Sequence, residues 1–230
     1  HGWEVEPDQR HVDLIVQEMG MNEAKPVSTP GEGAIKEVSP DEALLDERQT
    51  SRFRSMAARA NDLAADRVDI MYAVKEICRG MANPEEKEMT KLKRLARYFA
   101  GARNAMNWLP KPAVGTGAEL IGYADSDWAG DLRGRKSTSG LVILRGSHVL
   151  KHSSALQSVI ALSSAEAEYY ALVKAASVAL GMLALMADLG MIFQDKIEIK
   201  SDASAAIGIA HRVGVGKVRH IAVNQLWLKG

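Results

Sequence analysis

The sequence predicts an α/β fold, a mixed sheet with flanking helices in the second half of the chain, preceded by a mostly helical first half. Three observations carry this reading. The second half orders its patterns as strand, strand, strand, helix, strand, helix, which builds a mixed sheet with helices on its faces. The first half places Val12, Ile15, Val16 and Met19 at helical spacing. Between them, Asn104 to Gly117 holds Pro110, Pro112, Gly115 and Gly117, a turn-rich boundary.

The first elements follow from periodicity and caps. Gln9 to Met21 carries one apolar stripe and reads as a short helix. Lys25 to Pro40 is polar and interrupted by Pro26, Pro30 and Pro40, so it reads as a linker or surface loop. Asp41 to Ala65 reads as a helix. Asn83-Pro84-Glu85-Glu86 predicts another, with Asn83 as N-cap, Pro84 at the first position and acids at the positive dipole end. Gly101 ends it. Its Met89, Leu92, Ala96 and Phe99 form an apolar face, while Lys87, Lys91, Arg94 and Tyr98 line another, extended by Lys93 and Arg97. That basic surface is either a phosphate contact or the solvated side of an amphipathic helix.

In the second half, Leu120 to Asp125 is a short strand. Gly140 to Arg145 and Ser147 to His152 form a hairpin bent at Gly146. Ser164 to Leu189 is a long, mostly apolar helix, capped by Ser163 or Ser164 with Glu166 as a capping-box acid. Lys196 to Ser201 is a strand, and Ala203 to Arg212 a helix.

Composition narrows the function classes. At 230 residues the chain makes one large domain or one and a half small ones, taking roughly 150 residues per domain. With 47% hydrophobic and 25% charged residues it is a soluble globular chain, neither disordered nor fibrous. Its 29 basic and 29 acidic residues leave no global positive field, so a nucleic-acid partner must be met by local patches. A single cysteine, Cys78, excludes a disulfide framework and a Cys-based zinc cluster. The N-terminus has no secretory signal pattern, so the chain is not expected to be secreted. Lacking an initiator Met and ending abruptly, it is expected to be a piece of a longer polypeptide. Ala175 to Phe193 is an apolar run broken by Asp188 and read as a buried helix, with no membrane expected.

Three acids occupy places where such sheets bind ligands: Asp125 at the end of the first strand, Glu168 at the start of the long helix, and Asp202 where the fourth strand ends. Carboxylates brought together repel, so a cluster stays ionised only with cations between them. Hard oxygen ligands describe magnesium, and two such ions about 3.5 to 4 Å apart activate a water and stabilise the leaving oxygen of a phosphodiester.

Gly122 to Gly130 (GYADSDWAG), Arg135 to Gly140 (RKSTSG), Ala161 to Tyr169 (ALSSAEAEY), Ser201 to Ile207 (SDASAAI) and Lys217 to Ile221 (KVRHI) together resemble the ribonuclease H domain of copia-type LTR retrotransposon Pol polyproteins. Upstream, Met19 to Pro30 resembles the end of that family's reverse transcriptase, and Phe53 to Met56 and Val68 to Val74 resemble the segment after it. The resemblance implies a ribonuclease H-like fold for residues 118–230, truncated at its C-terminal end, after a reverse-transcriptase remnant, thumb- or connection-like, over 1–115. It implies magnesium or manganese, two ions in the complete domain, with Asp125, Glu168 and Asp202 as catalytic metal ligands. Asp127, two residues along the strand, rivals Asp125. Glu166 lies about 200° around the helix from Glu168 and cannot share its metals.

The implied function is hydrolysis of the RNA strand of RNA/DNA hybrids within a Pol polyprotein, with no small-molecule cofactor, in a cytoplasmic virus-like particle or the nucleus. Arg133, Arg135, Lys136 and Lys151 are candidate phosphate contacts, and His220 a candidate near the scissile phosphate. There are departures: Ala222 follows Arg219-His220-Ile221 where the family has Asp, and the fourth metal carboxylate would lie beyond Gly230. They leave open a catalytically inactive fragment, or a nucleic-acid-binding module, of a degenerate element. Other motifs fail. Gly214 to Lys217 lacks the flanking residues of a phosphate loop, no Gly-x-Ser-x-Gly elbow occurs, and His148 with His152 reads as a sheet-surface pair.

Overall fold

A computed structural model describes residues 2–31, 43–111, 119–131, 133–191, 197–212, 221 and 226–228. The chain divides into two compact units, 1–109 and 110–230.

The first unit is built on four helices: α1 (Gln9–Glu18), α2 (Glu47–Leu63), α3 (Met71–Cys78) and α4 (Glu86–Gly101), with a 3-10 turn at Val68–Ile70. Asp8 caps α1 by accepting from the Arg10 N–H. Asp46 and Gln49 cap α2 reciprocally, each side chain accepting from the other's backbone N–H at 2.7 and 3.1 Å. Val12, Ile15, Phe53, Ile70, Ile77, Leu92, Leu95 and Phe99 fill the shared core. Burying such side chains contributes about 1.5–3 kcal/mol each.

Two features differ from the sequence reading. Helix α4 begins at Glu86 with Glu85 as N-cap, because Pro84 and Glu85 are held outside it: the Leu45 N–H donates to Pro84 O and the Glu86 N–H to Ala43 O. Asn83 therefore lies outside the cap. Two short strands, β1 (Gly2–Val5) and β2 (Asn107–Pro110), pair as a ribbon that the sequence reading did not include.

The basic row of α4 is largely engaged within the unit. Lys87 pairs with Glu85, and Lys91 with Glu88 at 3.4 Å. Arg94 donates to Thr29 at 2.9 Å and Arg97 to Lys25 O at 3.0 Å, so two of these cations fasten the 25–29 loop to the helix. The row thus serves its own fold, where the sequence offered a phosphate contact or a solvated face.

In the second unit, β3 (Leu120–Asp127), β4 (Thr138–Arg145), β5 (His148–Leu156) and β6 (Ile197–Lys200) form one sheet in the order β5-β4-β3-β6. β3 runs antiparallel to β4 and parallel to β6, which makes the sheet mixed. Gly146, at φ +59°, turns β4 into β5, a conformation glycine adopts without steric cost. Helix α5 (Ser164–Asp188) packs across β3 and β4, and the short α6 (Ser204–Ala210) packs against α5. Leu120, Ala124, Leu141 and Ile143 of the sheet meet Tyr169, Leu172, Ala175 and Ala179 of α5 in the core. By length and composition alone, α5 is long and apolar enough to cross a membrane; here 39% of its most apolar stretch is buried within the fold. Leu180, Leu185 and Leu189 are exposed on its distal half.

Candidate functional site

The sheet pairing fixes where the acids stand. β3 and β6 run side by side only as far as Tyr123 and Lys200, so beyond that point the β6-side edge of β3 has no strand neighbour among the described residues. Asp125, Ser126 and Asp127 lie on that free stretch, and Asp202 follows the end of β6 at the same end of the sheet. Parallel strands ending together bring their C-terminal loops to one rim.

Helix α5 starts at this rim. Its first turn is secured by Ser163, whose Oγ accepts the Glu166 N–H at 3.2 Å. Glu166 is itself buried, accepting from the Leu162 N–H at 3.0 Å and from the Tyr170 hydroxyl at 2.7 Å. Its carboxylate belongs to the helix start, as a capping acid should. The Tyr170 hydroxyl is held far above its ordinary range by burial, with Glu166 adding to the shift.

Glu168, two residues further, turns toward β3. Its Oε1 accepts the Ser126 N–H at 3.3 Å, while its Oε2 is buried with no hydrogen-bond partner among the described residues. Burial pushes its pKa up from 4.5 to about 7. The charge of Asp125 and, more weakly, that of Asp202 add to the rise, and the Ser126 N–H opposes it. Asp125 and Asp202 are exposed. Leu120 and Ala124 are buried beneath α5 and Asp125 alternates out of phase with them, yet its charge still reaches Glu168. Glu168 thus feels the charge of both partners. Among the described residues, however, no three His, Cys, Asp or Glu side chains are gathered closely enough to hold one metal ion.

Asp127 serves its own turn, where its Oδ1 accepts the Gly130 N–H at 3.0 Å. A Cβ at Gly130 would push that carboxylate out of its place in the turn. Arg133 and Arg135 are exposed in the loop between β3 and β4, and Lys136 is half-buried there. Asp131 shapes this loop, its N–H donating to Lys136 O and its carbonyl accepting the Arg135 N–H, with Arg135 at φ +55°. Lys151 stands apart, exposed on β5 opposite Ile143. His220 lies outside the described residues.

Sequence reasoning passed over Gln157, just after β5. Its buried Nε2 lies 2.9 Å from Ser139 Oγ, 2.8 Å from Ala167 O and 3.4 Å from Ser126 Oγ. A polar residue between Leu156 and the apolar Val159-Ile160 pair was the available signal.

No family model matches the chain, and no solved structure matches it significantly. Among curated proteins, it is 30% identical over 223 residues to the retrovirus-related Pol polyprotein from transposon RE1 of Arabidopsis thaliana, covering 96% of this chain and 15% of that protein. It is 30% identical over 219 residues to the corresponding polyprotein from transposon RE2 of the same plant, covering 95% and 15%. It is 26% identical over 229 residues to that from transposon TNT 1-94 of Nicotiana tabacum, covering 96% and 17%. The chain therefore spans about 15% of the length of the RE1 and RE2 polyproteins.

Proposed function

This chain belongs to the family of retrovirus-related Pol polyproteins from copia-type transposons, and on that premise we propose that its second unit is a ribonuclease H-like domain hydrolysing the RNA strand of RNA/DNA hybrids. Asp125, Glu168 and Asp202 would hold magnesium or manganese, and the first unit is read as the end of a reverse transcriptase. The work would be done as part of the polyprotein.

One observation carries the assignment. Glu168 has a buried carboxylate oxygen with no partner among the described residues, and a pKa raised to about 7 by burial and by Asp125 and Asp202. Such a group, first desolvated and then crowded by like charges at the rim of a parallel strand pair, has the donor chemistry of a hard-cation site. When bound, a divalent cation would offset that repulsion and supply a Lewis acid and an activated water for phosphodiester hydrolysis.

The chain's own residues do the rest. The Ser126 N–H orients one oxygen of Glu168, leaving the other for a ligand. Asp125 and Asp202 stay open to solvent, where a substrate can reach them. Arg133, Arg135 and Lys136, in the loop leaving this rim, are proposed to meet phosphates, and Lys151 to meet them further along the sheet. A hybrid would be read by duplex shape, phosphates and 2′-hydroxyls rather than by base sequence.

A second reading, a nucleic-acid-binding module without catalysis, is favoured by the absence of a gathered metal-holding trio among the described residues. Calorimetric titration with Mg2+ and Mn2+, alone and with an RNA/DNA hybrid, separates the two. The enzyme reading requires cation binding that Asp125→Asn weakens at least tenfold. Hybrid binding with no cation binding selects the module.

A further inference from the structure

Gln157 connects three elements through one amide. The Ala167 carbonyl can only accept, which fixes the donor Nε2 on that side of the group. With two hydrogens, Nε2 serves its two short contacts, Ala167 O at 2.8 Å and Ser139 Oγ at 2.9 Å, while Ser126 Oγ at 3.4 Å is the weaker third. The backbone N–H of Gln157 donates to Ser137 O at 2.8 Å, seating the residue against the start of β4. Side chain and backbone are thus both fixed, and the residue is 7% exposed.

These partners are neighbours of the proposed metal ligands. Ala167 immediately precedes Glu168 on α5, and Ser126 immediately follows Asp125 on β3. The Ser126 N–H is also the donor to Glu168 Oε1. The amide of Gln157 therefore ties the first turn of α5 to β4 and, more loosely, to β3. In so doing it bridges the elements that carry Glu168 and Asp125. A buried hydrogen-bonding hub of this kind holds a unique spacing, since the alternative leaves several polar groups unpaired.

We propose that Gln157 is a positioning residue that sets where the Glu168 carboxylate sits against the β3 edge. The inference rests on the proposed function for its importance, while its structural content can be read without any cation. Removing the Gln157 donors frees the start of α5 to shift relative to β3 and loosens the contact between the Ser126 N–H and Glu168.

The test is Gln157→Met, which keeps the side chain's length and removes both donors. Hydrogen exchange followed by NMR on the full chain reads the Ser126 amide directly, with the Val142 and Ile143 amides of β4 as internal references. The expected result is at least tenfold loss of protection at Ser126, with less than twofold change at the references. A merely structural role would lower all three together. If Gln157→Met does not fold, Ser139→Ala removes one acceptor and should give a loss of about threefold at Ser126 alone. Unchanged Ser126 protection in a folded Gln157→Met chain, or equal loss at all three amides, overturns the proposal. Mn2+ binding, measured in parallel by electron paramagnetic resonance, is expected to weaken about tenfold in Gln157→Met. If the parent chain binds no Mn2+, the proposed function fails, and the Ser126 amide still decides the role of Gln157.

Discussion

Changing Glu168 to glutamine should make the second unit more stable at alkaline pH and leave it unchanged in acid. The folded state raises the Glu168 pKa from 4.5 to about 7, chiefly by burial and then by the charge of Asp125. A raised carboxylate binds its proton more tightly when folded, so its contribution favours the fold fully below about pH 4.5 and fades as pH rises through about 7. Above pH 8 the wild-type chain keeps an ionised, crowded carboxylate. Glutamine removes that charge and retains an acceptor for the Ser126 N–H. A shift of about 2.5 units sets a ceiling of about 3.4 kcal/mol at roughly 1.4 kcal/mol per unit. Glu168 is only half-buried, so solvent screening reduces the expected gain to about 1–2 kcal/mol. With m-values of about 1–3 kcal/mol per molar urea, the midpoint should rise by roughly 0.5–1 M at pH 8.5 and by nothing measurable at pH 4. Trp3→Phe and Trp108→Phe in both chains confine the tryptophan fluorescence to the second unit, which retains Trp128 and Trp227. Equal midpoints at pH 8.5, or a less stable glutamine variant there, would refute the crowding on which the site assignment rests.

Three further outcomes are expected. In the first unit, Arg67 is 2% exposed and grips Asp69 at 2.9 and 2.6 Å, with the Tyr98 hydroxyl adding a contact at 2.8 Å. Asp69→Asn should therefore cost about 3 kcal/mol in urea unfolding at pH 7. Burial alone would raise the Asp69 pKa, but hydrogen bonds from Arg67 and Tyr98 prevail and lower it, so this cost is full above about pH 4 and shrinks as pH falls below it. Trp128→Phe removes the indole N–H donated to Ala161 O at 3.2 Å and should cost about 1 kcal/mol in the same assay. Mn2+ binding should tighten up to about tenfold per pH unit between pH 5 and 7 and level off above, because a cation must displace the Glu168 proton; calorimetry at four pH values reads the slope.

Local signals in the sequence were strong where the residues that decide an element are close together. Ser163 before an apolar run, Gly146 between two strands and Gly101 closing a helix are such signals, and each element stands near its expected limits. Where a distant partner decides, the sequence is silent. Asn83-Pro84 has every mark of a helix start, yet the Leu44–Glu85 bridge keeps it extended. Gly2–Val5 is exposed throughout and gains its strand identity from residues a hundred positions away. The site divides in the same way. The positions of Asp125, Glu168 and Asp202 at strand ends and a helix start follow from local pattern. The role of Asp127 in its turn, the engagement of Arg94 and Arg97 by the 25–29 loop and the hub at Gln157 arise only from packing.

The most direct measurement is cleavage of a labelled RNA/DNA hybrid by the chain in Mg2+ and in Mn2+, beside Asp125→Asn, Glu168→Gln and Asp202→Asn, each confirmed folded by circular dichroism. The expected result is cation-dependent cutting confined to the RNA strand, reduced at least a hundredfold by each substitution. Cutting that survives any one of the three, or a folded parent chain that neither binds the cation nor cuts the hybrid, would contradict it.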